Sequence, residues 1–283
     1  MNKRLARLFR LGRDAYRYPW ARVTATPAAD TSLLVTIGPS LSLYTHRKPA
    51  VTDLALDQYK HTRLRSSYPS DRIVGAASAT YWGYVTRNYE FASHKARRFC
   101  QKNDLPTVVS KIDASASHCS AGDWGRALGC LHGVIELQRM PFASKVIAFL
   151  DPQNAGVYDS RINRYLTKAG LGELFLGQDG TLPCRETTML RPQVEHPANQ
   201  RRYQTWCARL QQIRDELNAI PGERWRCTEP GPQRWRAVDV ERAIFAFGAP
   251  RGGKPSATQC KEFESLLREF LVKTGKLLRN RAV

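Results

Sequence analysis

The sequence predicts a mostly helical protein with a minor β element near its N-terminus, and three observations carry that prediction. Apolar residues recur at helical spacing in several long stretches, only one short run reads as a strand, and Pro/Gly-rich segments separate the periodic ones. At the start, MNKRLARLFRLGRDAYRYPW puts Leu5, Leu8 and Phe9 on one side of a helix and arginines on the other. It has no apolar stretch or small-residue cleavage site of the secretory kind. Leu33–Ile37 is the one persuasive strand, closed by Gly38-Pro39. Helices are expected around Ser78–Arg87 and Phe91–Lys102. Another is expected where Trp124, Leu128, Leu131 and Ile135 follow Asp123 as N-cap. Tyr203, Trp206, Leu210, Ile213 and Leu217 make a further stripe, stopped by Pro221-Gly222. Val240, Ile244 and Phe247 give a shorter helix, ended by Gly248 and Pro250. The last stripe runs from Phe263, Leu266, Leu267, Phe270 and Leu271 into Leu277 and Leu278. The region before about Ser70 and the stretch Gly177–Arg202, with Pro183, Pro192 and Pro197, read as loop-rich. These breaks suggest an N-terminal basic segment with short β over 1–70, a central helical core over 71–178 and a C-terminal basic helical region packing on it over 179–283.

Composition narrows the function. The chain has 283 residues, 42% hydrophobic and 24% charged, which excludes disorder as the main description. Its 44 Lys+Arg face 25 Asp+Glu, a formal charge of +19. Self-repulsion on that scale is destabilising unless a polyanion offsets it, so nucleic acid is the first candidate partner and an anionic membrane surface the second. No apolar run reaches the roughly 18 residues of a membrane span. Seven cysteines (Cys100, Cys119, Cys130, Cys184, Cys207, Cys227 and Cys260) form no CxxC pair and no zinc-like cluster with histidine. They predict reduced, mostly buried thiols in a cytoplasm, with no structural metal and no iron–sulfur cluster. The chain is further expected to be a monomer without a cofactor.

The positive charge is clustered. Lys95, Arg97, Arg98 and Lys102 crowd one predicted helix, and Arg224-Trp225-Arg226 recurs as Arg234-Trp235-Arg236 across a Pro/Gly turn. Guanidinium groups interleaved with indoles suit phosphate contact plus base stacking. The equally weighted alternative is a solvated basic face with its tryptophan rings turned inward.

One segment, LQRMPFASKVIAFLDPQNAGVYDSRINRYL over residues 137–166, carries chemistry. It reads as a helix ending near Met140, a tight turn at Pro141, and a second helix through Lys145 to Leu150. After a loop, Val157-Tyr158-Asp159 opens another helix. This order resembles the helix–hairpin–helix DNA glycosylases, most closely their 8-oxoguanine-DNA-glycosylase-like branch. The resemblance implies two helical lobes with the helix–hairpin–helix motif and an active-site cleft between them. It places Lys145 at the family's catalytic lysine and Asp159 at its catalytic aspartate. It also implies DNA contacts for Ser144 in the hairpin and for Arg161 two residues after the aspartate. The turn Arg87-Asn88-Tyr89 matches the one that supplies the residue replacing a flipped base, so Asn88 or Tyr89 is the expected wedge. Tyr81, Trp82 and Trp124 are candidates to line the base pocket. The chain departs from the family's hairpin, L-P-G-V-G-x-K, at Phe142, Ala143 and Ser144, where glycine N–H groups grip a phosphate.

The chemistry explains why these residue types are wanted. Breaking an N-glycosidic bond builds positive charge on the sugar, which a carboxylate beside C1′ stabilises. An aspartate at a helix N-terminus is favoured as the anion. A nearby lysine amine can attack C1′ and form an imine. The resemblance therefore implies an enzyme that flips out and excises a modified base from duplex DNA. Relatives in this branch that attack modified bases of phage DNA point to a glucosylated hydroxymethylcytosine and an antiviral role. An 8-oxoguanine glycosylase/lyase, or a helix–hairpin–helix protein that binds DNA without cutting it, are the alternatives.

Overall fold

The computed structural model describes residues 1–16, 19–25, 33–37, 41–47, 52–85, 88–182, 184–185, 188–189, 193–226, 232–249 and 255–281. The chain opens with α1 (Lys3–Ala15), whose Asn2 side chain accepts from the Leu5 N–H, as an N-cap should. As expected, Leu5, Leu8 and Phe9 are its buried face. Three antiparallel strands follow: β1 (Ala21–Thr24), β2 (Leu33–Ile37) and β3 (Leu41–Arg47), in spatial order β1-β3-β2. Val23 pairs with Thr45 and Val35 with Leu43. The predicted strand is β2, but the region before Ser70 is more ordered than its sequence suggests. It holds this whole sheet and α2 (Asp53–Leu64), because short strands with mixed burial leave no alternating signature.

α3 (Pro69–Val85) is the central helix. Its run of small residues, Gly75 to Ser78 and Ala79, is buried and lets neighbours approach closely. A Cβ on Gly75 would lie 2.9 Å from the Leu64 backbone N. Ser78 accepts from the Val23 N–H at 2.8 Å and donates to its carbonyl at 3.0 Å, pinning β1 to α3. α4 (Tyr89–Lys102), α5 (Leu105–Ser120) and α6 (Trp124–Cys130) pack around it and one another. The sequence reading missed α5, whose inward positions include Ser115 and Cys119 beside Val108 and Ile112.

Two expectations about the middle of the chain need correction. The stripe from Trp124 does not continue as helix to Ile135: α6 stops at Cys130, and turns occupy residues 131–139, with Gly133 at φ 76°. The turn expected at Pro141 is likewise displaced. α7 (Met140–Leu150) begins there, with proline in its first turn, where the missing N–H costs nothing. The connection between the two helices is therefore 131–139, and Phe142 to Lys145 are helical.

α8 (Ser160–Lys168) and α9 (Gly172–Leu176) lead to the short hairpin β4 (Cys184–Arg185) and β5 (Thr188–Met189). α10 (Pro197–Asn218) carries the predicted stripe, all five members of which are buried. The hairpin β6 (Trp225–Arg226) and β7 (Pro232–Gln233) precedes α11 (Ala237–Gly248) and α12 (Ala257–Arg281). The two ends of the chain meet: α1 lies along α11, so close that a Cβ on Gly12 would sit 2.7 Å from the Ala243 carbonyl. Phe9 meets Phe263 edge-on at 5.0 Å and Trp235 at 6.3 Å. The architecture is mostly α with a small β element, as the sequence predicts. Among the described residues no helix is long and apolar enough to cross a membrane.

Candidate active site

α7, the segment before α8, and α10 are stitched together by a few polar contacts. Ser144 is fully buried, and its hydroxyl both accepts from the Tyr158 N–H at 3.1 Å and reaches the Tyr158 carbonyl at 3.3 Å. The Tyr203 hydroxyl donates to the carbonyls of Ser144 and Gly156, at 3.3 and 3.1 Å. These bonds fix where Asp159 stands relative to α7. The Asp159 side chain accepts from the N–H groups of Arg161 (2.9 Å) and Ile162 (3.1 Å) and caps α8. The carboxylate is thereby held by two donors and the helix's positive end.

Lys145 points from α7 into the same region and is 6% exposed. Its amine donates to the Pro141 carbonyl at 2.6 Å and lies 4.9 Å from the Phe142 ring centre. Gly83 of α3 makes room for it: a Cβ there would approach Lys145 Cδ at 3.0 Å and Phe142 Cε1 at 2.9 Å. Burial lowers the amine's pKa, while Asp159 and Glu241 pull it part of the way back and Arg161 lowers it again. The result is a lysine held closer to its neutral, nucleophilic form than a surface lysine.

Glu241 of α11 is the residue that sequence reading missed. It is 3% exposed, and burial pushes its carboxyl up to about 8; Asp159 adds to the rise, while Arg242 and Lys145 oppose it. At neutral pH it therefore holds a proton. Tyr16, at the end of α1, lies in the same field. Its hydroxyl is pushed up by burial and by Glu241, and its ring meets Phe245 edge-on at 5.5 Å. Arg161 lies 5.4 Å from the Phe245 ring. An amine from α7, a carboxylate from the α8 cap, a protonated carboxyl from α11 and a phenol from the N-terminal segment thus lie within electrostatic reach of one another. A signal for Glu241 was present: α11 is buried all along Ala237–Ile244, yet it carries Asp239, Glu241 and Arg242. Charged residues in a fully buried helix need partners or a task.

The other expected site residues fall elsewhere. Ser144 is internal and makes no surface for DNA. Tyr81 is fully buried, Trp82 packs edge-on against Phe149 at 5.4 Å, and the Trp124 indole donates to Asp151 at 3.0 Å, beyond the far end of α7. These three are core residues, because large rings at helical spacing bury more area inward than a pocket would. Asn88 is exposed and caps α4 by accepting from the N–H groups of Glu90 and Phe91; Tyr89 is half-buried and donates to the Thr45 carbonyl. Arg87 lies outside the described residues.

The Arg-Trp-Arg repeat takes the inward-turned form. Trp225 and Trp235 are each 1% exposed, and Arg13 stacks on Trp225 at 3.9 Å. Arg236 is buried, bonded to Asp239 at 2.8 Å and Asp57 at 2.9 Å, so it is no DNA contact. Arg224 is half-buried, Arg234 is exposed, and the Arg226 side chain lies outside the described residues. Of the seven cysteines, Cys100, Cys119 and Cys207 are buried free thiols and Cys130 and Cys260 are half-buried ones; Cys227 and the Cys184 side chain lie outside the described residues.

No family model, no curated protein and no solved structure matches the chain.

Proposed function

We propose that the protein is a DNA N-glycosylase that excises a modified base, with Asp159 and Lys145 as its catalytic residues. The observation that carries this reading is that Lys145, Asp159 and Glu241 lie within electrostatic reach of one another, with burial lowering the lysine's pKa and raising the glutamate's to about 8. Paired groups of that kind divide acid, base and nucleophile roles. The Asp159 carboxylate opposes the positive charge that develops on the sugar as the bond to the base lengthens. The Lys145 amine adds to C1′ as the base departs; loss of the amine proton and opening of the sugar give the imine. The proton that the departing base requires is available from Glu241. The net charge of +19 supports duplex DNA as the partner. The proposed substrate is a glucosylated hydroxymethylcytosine, in a cytoplasmic monomer that acts on phage DNA; 8-oxoguanine is the second candidate.

The test uses Asp159→Asn, because asparagine caps a helix as well as aspartate while losing the charge. Base release from phage genomic DNAs that differ only in base modification is measured as alkali-labile sites. The expected result is release by the wild type from one DNA, reduced in the variant by roughly 10²–10³-fold at unchanged DNA affinity. Near wild-type release by Asp159→Asn overturns the assignment. DNA binding without base release from any of the DNAs makes the protein a binder.

A further inference from the structure

On the outside of the helix that Asp159 caps runs a row of cations that base excision does not use. α8 turns Ile162, Asn163, Tyr165 and Leu166 inward. Its other side carries Arg161, half-buried, and Arg164 and Lys168, both exposed. These three stand at i, i+3 and i+7, on one helix face. The Arg164 Nε–H donates to the Ser160 carbonyl at 3.2 Å, which steadies the guanidinium. At the far end Arg268 of α12, also exposed, donates to the carbonyls of Ala169 and Gly170 and so extends the row. Exposed arginines elsewhere have carboxylate partners: Arg98 has Glu136, Arg126 has Asp123 and Arg201 has Asp179. Among the described residues, none of the four cations in the row forms an ion pair. The helix dipole accounts for Lys168 and Arg268, which stand at the negative C-terminal end, and not for Arg161 in the first turn. Neighbours in the row also repel one another, so local forces disfavour the arrangement. An external polyanion offsets both effects.

We propose that this row is a backbone track for nucleic acid, in which Arg164, Lys168 and Arg268 hold successive phosphates of one strand as it runs away from Asp159. From Arg161 to Lys168 the helix rises about 10 Å, at roughly 1.5 Å per residue. A duplex strand carries one charge per about 3.4 Å of axis, so that length spans about three phosphates. The contacts are to phosphate, so they position the strand and read no sequence. A lipid surface fits less well. A helix that lies on a membrane inserts an apolar face, and α8 has its own buried, packed against α9 and α11. The track takes its partner from the nucleic-acid reading and needs no base excision.

The experiment measures affinity of the full chain for a short unmodified duplex over a range of salt concentrations, by fluorescence anisotropy. Each phosphate contact contributes roughly 0.9 to the slope of log affinity against log salt. Arg164→Gln/Lys168→Gln should therefore make the slope shallower by about 2. Lys3→Gln/Arg7→Gln removes the same charge from exposed positions of α1 and should leave the slope as in the wild type. An unchanged slope in the first variant overturns the track, and so does equal flattening in both, which reports net charge alone. Thermal melts check folding; if the double variant fails to fold, Arg164→Gln decides alone, with an expected change of about 1. Loss of binding to phosphatidylglycerol vesicles in the double variant, with its duplex slope unchanged, makes the row a lipid contact and likewise overturns the track. If the wild type binds no duplex, the track and the nucleic-acid reading fall together. The expected slope change in a protein that releases no base supports the track and strikes only the glycosylase reading.

Discussion

Two residues, Lys145 and Glu241, show what the site demands of single side chains. Glu241 titrates near 8, against an ordinary 4.5, so the folded state binds a proton that the unfolded state has released. Its contribution is full below about pH 4.5 and is lost as the pH rises toward 8, at about 1.4 kcal/mol per pH unit inside that window. Glu241→Gln should therefore leave stability near pH 5 almost unchanged and flatten its fall between pH 5 and 8. Urea unfolding at several pH values measures this, and an equally steep fall in the variant would place the titrating group elsewhere. Lys145 makes the opposite case. Its ammonium form is disfavoured by burial, and among the described residues no carboxylate pairs with it directly. Lys145→Met keeps the stem and removes the charge, so stability should be equal or higher by up to about 1–2 kcal/mol while base release is lost. A large destabilisation in that variant would mark the lysine as structural.

At the scale of elements, the site depends on how closely α3, α7 and α8 approach. Gly83 is where α3 yields to Lys145 and Phe142, and a methyl group there meets the Phe142 ring at 2.9 Å and the Lys145 stem at 3.0 Å rather than backbone, so these two side chains must shift. Gly83→Ala should change stability only modestly, because the up to about 1 kcal/mol of helix propensity that alanine regains offsets part of the cost of moving them. It should displace the amine, and roughly 1 Å of misplacement is enough for about a hundredfold loss of rate. A melting temperature within a few degrees of wild type with base release down by that factor is the expected pair of results. Full activity would show that the amine has room to spare. The same scale explains why the hairpin was misread. Pro141 punctuates the sequence at the start of a helix as readily as at its end, and only the positions of Val134, Leu137 and Met140 in the core settle which.

For the whole molecule, charge does its largest work inside. Arg242 is 1% exposed and bonds both oxygens of Asp57 at 2.7 and 2.8 Å; Arg236 joins Asp57 to Asp239, and Arg13 joins Asp239 to Asp53. The network ties α1 and α2 to α11, and so binds the N-terminal segment to the helix that carries Glu241. Burial alone would push Asp57 up, but Arg242 and Arg236 outweigh it and hold the carboxyl below the usual range. Arg242→Met should cost about 3–5 kcal/mol by stranding that charge, and it should lower the urea midpoint accordingly. Arg234→Ala, on an exposed position, should change stability by no more than about 0.5 kcal/mol. Equal costs for the two would mean that the buried network contributes nothing beyond a surface pair.

Helical class, the faces of α1, α10, α11 and α12, the strand β2, and the places of Lys145 within a helix and Asp159 at a helix start were legible in the sequence, because period and capping are local properties of a few neighbouring residues. The inward turn of Trp225 and Trp235, the burial of Ser144 and Arg236, and the recruitment of Glu241 and Tyr16 were not. Each depends on which element packs on which: α1 on α11, α7 against the segment before α8, and β6 against α1. Whether a given arginine pairs with a buried carboxylate or faces a phosphate is decided by contacts between residues as much as 226 positions apart. No local pattern encodes that separation, so the titratable side chains are read from the sequence and their company only from the fold.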